Sequence, residues 1–229
     1  MPSHIQKEWL KSTYRAKDCD MSVTDLTRPL YQLWHKLNAS YIKSDEPETT
    51  SFKSYLGSAL HKFIEDIDED GTIKEFSWVK EMDDGTRIGG TADELRWRYS
   101  INKWRLGDIK LKGSYPAKKF IEGEQDKERL QMSIYRWLFN DMFDIEDKAV
   151  IYLFVAGHTK REKFDEVSEQ WIDLLPVNTV DEMLKGKLAI SRADTPPSID
   201  CPEWLCPFCE FKPVCTKFKQ EPAGFSDES

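Results

Sequence analysis

Gly107-Asp108-Ile109-Lys110 and, upstream of it, Gly90-Thr91-Ala92-Asp93 lie in stretches of sequence with the pattern of β-strands. Asp108 and Lys110 are two residues apart, so on a strand their side chains project from the same face. A carboxylate beside an ammonium is unfavourable in an apolar core. It suits a site that holds a divalent cation and a water molecule against a phosphodiester. On its own the pair is a weak signal, because any charged strand can carry it.

The composition is that of a folded protein with one large domain or two small ones. The chain has 229 residues, of which 39% are hydrophobic and 32% charged, so it can bury a substantial core. No segment approaches the roughly 18 apolar residues that span a bilayer, and the first residues lack the apolar core of a signal peptide. We therefore expect an intracellular, cytoplasmic protein without membrane association.

The acidic net charge limits the ways in which the chain can bind nucleic acid. A net charge of −8 counts mildly against a protein that coats DNA. An enzyme with an acidic metal site can still bind DNA through local lysines. We expect such contacts at Lys112, Lys118 and Lys119, and further basic residues occur within 160–163 and 212–219. The alternative for each lysine is a side chain that only faces solvent.

The hydrophobic pattern predicts an α/β fold. Ser22 begins a capped helix that Pro29 interrupts, and residues 102–103 form the turn of a hairpin within the β-rich stretch 72–111. A flexible, basic loop is predicted over residues 113–123. The remaining elements are a helix with the apolar stripe Leu56, Leu60, Phe63, Ile64 and Ile67, a helix with the stripe Leu130, Ile134, Trp137 and Leu138, strands at 149–155 and 164–175, and a helix at 178–192.

The sequence contains no internal repeat and no clear linker. We therefore expect a single domain over residues 1–229. Within it we distinguish an N-terminal helical region at 1–50, an α/β core at 52–175 and a cysteine-rich tail at 195–219.

Two helices carry polar residues that support a functional site. His61 lies beside the apolar stripe of its helix, and Gly57 one turn earlier allows close approach to a neighbouring group. Gln131 and Tyr135 are one turn apart on the second helix, where an amide and a phenol can hold a backbone or stack against a base. Each residue alone is more often structural.

Taken as an ordered set, these segments resemble the RecB-like branch of the PD-(D/E)XK nuclease superfamily. The resemblance spans residues 52–140 and rests on Gly57-x3-His61, Gly90-Thr91-Ala92-Asp93, Gly107-Asp108-Ile109-Lys110 and Gln131-x3-Tyr135. It implies a restriction-endonuclease-like core, in which helices flank a central mixed β-sheet. The segment Val23-Thr24-Asp25-Leu26 also looks like the leading helix of phage-type members.

The same resemblance implies a role for each residue of the set. His61, Asp93 and Asp108, assisted by the carbonyl of Ile109, would bind Mg or Mn. Lys110 would be the catalytic lysine. The residues that would contact DNA or steady the catalytic site are Gln131 and Tyr135.

The cysteines predict a second metal site. Four of the five lie between Cys201 and Cys215, which in an intracellular chain indicates metal binding before disulfides. The C-x2-C-x5-C spacing of Cys206, Cys209 and Cys215 can place three thiolates around one metal centre. It is similar to the C-terminal motif of CRISPR-associated RecB-like exonucleases and of the AddB nuclease domain. That similarity implies an iron–sulfur cluster, of the four-iron type, that staples the domain.

Two cysteines are candidates for the fourth ligand. Cys19 lies on the N-terminal side, as the family predicts, although the family's own cysteine falls nearer to Gln32. Cys201 would close a compact C-x4-C-x2-C-x5-C site, which suits structural zinc nearly as well. We take the cluster with Cys19 as the expectation, and zinc with Cys201 as the alternative.

The resemblance implies an exonuclease that acts on single-stranded DNA ends, in recombination, repair or phage DNA processing within a bacterial host. The chain contains no Gly-x4-Gly-Lys-Ser/Thr motif, so a helicase or recombinase would have to be a partner. The alternative is a non-catalytic, metal-stapled module that binds DNA ends or a recombination partner. Clustered carboxylates would repel DNA unless a cation is present, which favours the enzyme.

Overall fold

The structure is a computed structural model that describes residues 19–38, 56–57, 59–64, 69–156 and 167–215. The chain divides into two compact units, each built from segments that are distant in sequence. The described part of the first unit is residues 19–27, 56–57, 59–64, 69–156 and 167–184, and that of the second is residues 28–38 and 185–215. The predictions for residues 1–18, 43–51, 65–67 and 160–163 lie outside the described residues.

In the described part of the first unit, a six-stranded mixed β-sheet forms the centre. Its strands follow the order β1-β3-β4-β5-β6, and β2 pairs with β3. The pairs β1–β3 and β4–β5 are parallel, and the others are antiparallel. The strands are β1 (Met21–Ser22), β2 (Thr72–Glu81), β3 (Arg87–Arg98), β4 (Lys103–Gly113), β5 (Ile145–Ala156) and β6 (Val167–Asp173). The predicted α/β fold with a mixed central sheet flanked by helices is confirmed, and so is the hairpin between β3 and β4.

The helices are α1 (Val23–Leu26), α2 (Leu30–Asn38), α3 (Ser114–Ile121), α4 (Asp126–Phe139) and α5 (Val177–Ser191), with a helical stretch at residues 59–64 and a 3-10 helix at Glu203–Phe208. The Ser22 hydroxyl accepts the Asp25 backbone N–H and the Asp25 carboxylate accepts the Ser22 N–H, which together form a capping box. Pro29 stands between α1 and α2, as predicted. Within the described residues, none of the helices has both the length and the apolarity needed to cross a bilayer.

The prediction of a flexible loop over residues 113–123 is wrong, because α3 occupies most of this segment. Pro116 lies in the first turn, where backbone N–H groups have no intrahelical acceptor, so its missing donor costs nothing there. Ala117 and Phe120 are buried and anchor the helix. Residues that usually indicate a loop here belong to a short helix, because Pro116 lies in its first turn and Gly113 and Gly123 flank it.

Helix α4 packs against the sheet through the predicted stripe. Ile134, Trp137 and Leu138 are buried, and α4 contacts β2, β3 and β4. Gly90 in β3 makes this approach possible. A Cβ built there would lie 2.8 Å from the ring of Tyr135 and 3.3 Å from Leu138.

Gly90→Ala is expected to destabilise the protein by about 1–3 kcal/mol, because overpacking displaces buried groups. The added Cβ would lie 2.6 Å from Cγ2 of Val23 and 2.8 Å from Cε1 of Tyr135, and both side chains are buried. Gly186→Ala in α5 is the control. A Cβ there meets nothing within 4 Å, so alanine should raise the free energy of unfolding by about 0.5–1 kcal/mol through its helix propensity. Urea unfolding measures both, and wild-type stability of Gly90→Ala would contradict the close packing of α4 on β3.

Candidate functional site

The candidate site lies where the pairing between β3 and β4 ends. β4 pairs with β3 only over Glu94–Arg98, and β1 pairs with β3 at residues 88–89. Because β2 runs along the other edge of β3, the stretch Gly90–Asp93 faces a gap between β1 and β4. The Asp93 side chain bridges this gap, since its Oδ2 accepts the backbone N–H of Ile109 at 2.7 Å. This hydrogen bond across the gap brings the segment that ends at Asp93 next to the segment that contains Asp108 and Lys110.

Asp108 and Lys110 form a buried ion pair beside this gap. Asp108 is 3% exposed, and Nζ of Lys110 donates to its Oδ1 at 3.1 Å. Burial raises the pKa of Asp108 to about 6, Lys110 opposes the rise, and Asp93 adds to it. Burial would lower the pKa of Lys110, but the charge and the hydrogen bond of Asp108, together with the charges of Asp93 and Glu128, raise it overall and hold the ammonium charged.

His61, Glu75 and Asp93 form a second group in the same place. Each offers one ligand atom, and these atoms lie within 4.8 Å of one another. Nδ1 of His61 is 3.5 Å from Oδ2 of Asp93, and the field of His61 also reaches Asp108. The structure thus brings His61, Asp93 and Asp108 together. It adds Glu75, which the sequence analysis missed.

The sequence holds no local signal for Glu75. The pairing of β2 with β3 keeps the same register on both sides of it, since Ile73 pairs with Leu95 and Phe76 with Ala92. Its side chain joins the site through the backbone conformation at this one residue.

Tyr135 and Gln131 of α4 lie at the same site. Tyr135 is 6% exposed, and burial is the main cause that raises its pKa above the ordinary value, with Asp108 and Asp93 adding to it and a hydrogen bond with Gln131 opposing it. The phenol therefore stays neutral and can donate a hydrogen bond next to two carboxylates.

The three lysines predicted to bind DNA have carboxylate neighbours or lie partly buried. Nζ of Lys112 is 2.6 Å from Glu128 and lies 5.1 Å from the centre of the Phe120 ring. Lys119 pairs with Glu124 at 2.7 Å, and Lys118 is half-buried on α3. Their contact with DNA stays a prediction.

The donor set fits a hard divalent cation. Carboxylate oxygens with one imidazole are ligands that Mg and Mn accept. Oδ2 of Asp108 is buried and makes no hydrogen bond, although Nζ of Lys110 approaches it to 2.8 Å without hydrogen-bond geometry. The ammonium balances the charge of this buried oxygen, which still offers a lone pair to a metal ion.

A separate cysteine pocket lies in the second unit. It is lined by Tyr31, Gln32, Ile199, Cys201, Leu205, Cys206, Cys209, Phe211 and Cys215. Nε2 of Gln32 donates to Sγ of Cys209 at 3.5 Å. Burial raises the pKa of Cys201 to about 11, and Asp200, Cys209 and Cys215 add to the rise. Four thiols thus share one pocket, a donor set that suits zinc or an iron–sulfur cluster.

Cys19 belongs to the first unit and contacts β3. A Cβ built on Gly89 would lie 2.8 Å from its Sγ, so Gly89 makes the space that this thiol fills. Burial is the main cause that raises the pKa of Cys19. Gly89, Asp25 and Asp20 of the first unit are among the groups that influence its titration.

Comparison with known proteins gives a family and a fold. Residues 8–216 match the model of a family described as the PD-(D/E)XK nuclease superfamily. The chain is similar in fold to the crystal structure of SSO0001, with a TM-score of 0.56, 19% sequence identity, and coverage of 93% of this chain and 92% of that chain. At this identity the likeness bears on the fold alone. No curated protein matches the sequence.

Proposed function

Since the chain belongs to the PD-(D/E)XK nuclease superfamily, we propose that it is a Mg- or Mn-dependent deoxyribonuclease of the RecB-like branch. The observation that carries the proposal is the gap between β3 and β4, where His61, Asp93 and Asp108 come together beside Lys110. A binding module has no need of buried carboxylates near phosphate.

The residues divide the work of the reaction as follows. His61, Asp93 and Asp108, with the carbonyl of Ile109, would hold the cation. When bound, the cation lowers the pKa of a water molecule and neutralises charge on the phosphate. The Lys110 ammonium, oriented by Asp108, donates to a phosphate oxygen or to the attacking water. Tyr135, held by Gln131, donates from the α4 side of the site.

The finer specificity rests on the family resemblance. We propose that the substrate is single-stranded DNA with a free end, which an exonuclease shortens from that end. Lys112, Lys118 and Lys119 would contact the DNA backbone close to the catalytic strand β4. A helicase or recombinase would supply such ends as a partner.

The proposal is tested with labelled single-stranded DNA, linear and circular, incubated with Mg, Mn or EDTA. We expect the linear strand to be degraded with either metal and the circle to be spared. Asp93→Asn should lower the rate by about a hundred-fold or more, because it removes a cation ligand. Asp83→Asn removes an exposed carboxylate in the turn after β2 and should leave the rate unchanged. Intact DNA that stays bound to the wild type would support the binding module instead.

The cysteine pocket supports a structural metal in the tail. We propose an iron–sulfur cluster held by Cys206, Cys209 and Cys215, with zinc as the alternative. Between the candidates for the fourth ligand, Cys201 is favoured over Cys19, because Cys201 lines the same pocket as the other three.

Cys201→Ser is expected to remove the metal and lower the free energy of unfolding by several kcal/mol, because structural metal binding is coupled to folding. Cys19→Ser is the matched control and should keep both the metal and the wild-type free energy of unfolding. Metal content and visible absorbance of anaerobically purified protein measure the result. Loss of metal from Cys19→Ser alone would assign the fourth ligand to Cys19. A colourless protein that contains one zinc ion would show that the metal is zinc and not an iron–sulfur cluster.

A further inference from the structure

The backbone of β2 is irregular at Glu75. Lys74 pairs with Glu94, and Phe76 pairs with Ala92. Glu75 and Asp93, which lie between these two pairs, do not form a regular pair. Glu75 has a φ of 48°, in the left-handed region that a residue with a long side chain rarely adopts. The register is the same on both sides of Glu75, so no residue is inserted, and the positive φ alone turns the side chain away from its direction in a regular strand.

The re-aimed carboxylate points into the candidate active site. A Glu75 oxygen lies within 4.8 Å of a His61 nitrogen and an Asp93 oxygen. The same carboxylate acts on Tyr135, whose pKa it helps to raise. Glu75 therefore belongs to the site although it comes from β2, and the motif residues Asp93 and Asp108 come from β3 and β4.

Core packing does not account for this conformation. The Glu75 side chain is exposed, so it fills no space in the interior, and glycine or asparagine would adopt the same backbone at lower cost. A strained residue at a functional site points to a role for its side chain. The buried Oδ2 of Asp108 makes no hydrogen bond, although Nζ of Lys110 lies 2.8 Å from it, which independently supports a cation at the Asp108 carboxylate of the same site.

We propose that Glu75 is a further ligand of the divalent cation, at the His61–Asp93 end of the site. This inference rests on the proposed function for the location of the cation. Glu75 would join the proposed ligands His61, Asp93 and Asp108 and the Ile109 carbonyl, and water or phosphate would complete the coordination. The Asp108 carboxylate lies next to Lys110. Asp93 belongs to the group with His61 and Glu75 and also acts on Asp108.

Titration of metal-free protein with Mn in a calorimeter tests the assignment. Glu75→Gln should raise the Kd for Mn by about ten-fold or more, because a lost ligand weakens binding at least as much as a lost supporting group. Glu81→Gln is the control, because it removes an exposed carboxylate from the same strand. The Kd of Glu81→Gln should equal that of the wild type. An unchanged Kd for Glu75→Gln would overturn the assignment.

Two further measurements separate ligation from other causes. Repeating the titrations at high salt weakens any effect of mere charge, so a difference that persists supports ligation and one that disappears overturns it. Glu75→Gly removes the side chain and relieves the backbone. The variant should have a higher melting temperature than the wild type when metal-free, yet bind Mn weakly. Wild-type affinity for Mn in this variant would also overturn the assignment.

The outcome is independent of whether DNA is cut. A wild type that binds Mn but leaves DNA intact would contradict the proposed function, while the Glu75 assignment would still be decided by the titrations. A wild type that cuts DNA, with Glu75→Gln binding Mn normally, would contradict only the assignment of Glu75.

Discussion

Lys110→Ala is expected to lower the rate of DNA hydrolysis by about a hundred- to a thousand-fold, as the loss of a preorganised donor to the reacting group does in other enzymes. The variant also acts on its neighbour. Burial raises the pKa of Asp108 to about 6, and Lys110 is the strongest opposing influence. Without the ammonium, the Asp108 carboxylate gains protons nearer to neutral pH and loses part of its ability to bind a cation.

Lys110→Arg separates these two effects. Arginine keeps the positive charge beside Asp108 but has a different shape and donor geometry, so Mn binding should be retained while the rate stays low. Lys103→Ala is the control, because Lys103 lies at the exposed start of β4, 3.3 Å from the exposed Asp144. Initial rates with labelled single-stranded DNA measure all three variants. Full activity of Lys110→Ala would remove Lys110 from the mechanism.

Glu94→Gln is expected to lower the free energy of unfolding by about 3 kcal/mol, because it leaves buried positive charge without its partner. The Glu94 side chain is 4% exposed, and its Oε1 accepts the hydroxyl of Tyr152 at 2.8 Å. Its cationic neighbours are Lys74 at 3.3 Å, Arg96 at 3.2 Å and Arg105 at 3.7 Å. Arg105 is itself buried, so water cannot replace the lost carboxylate.

Asp144→Asn is the matched control for Glu94→Gln. It breaks the surface pair with Lys103, in which the Asp144 side chain is 71% exposed. Surface pairs contribute about 0–1 kcal/mol, so this variant should unfold close to the wild type. Urea titration followed by circular dichroism measures both variants. Equal stabilities of Glu94→Gln and Asp144→Asn would show that the buried network adds little to folding.

Local sequence signals were sufficient for most elements of the fold. The capping box at Ser22, the hairpin between β3 and β4 and the apolar stripe of α4 all depend on residues close in sequence. The error at α3 has the same origin, because Pro116 breaks a helix in its interior but not in its first turn. Only the packing of Ala117 and Phe120 decided that the segment is helical.

The order of the motifs by itself determined the family, the mixed α/β sheet and the acidic pair of Asp93 and Asp108. Such signals are encoded in residue type and spacing. The tertiary structure alone decided where the pairing of β3 and β4 ends, which places Asp93 against the Ile109 N–H. It also decided that Glu75 joins His61 and Asp93. Both outcomes depend on the register between strands and on a backbone conformation at one residue, which no local pattern specifies.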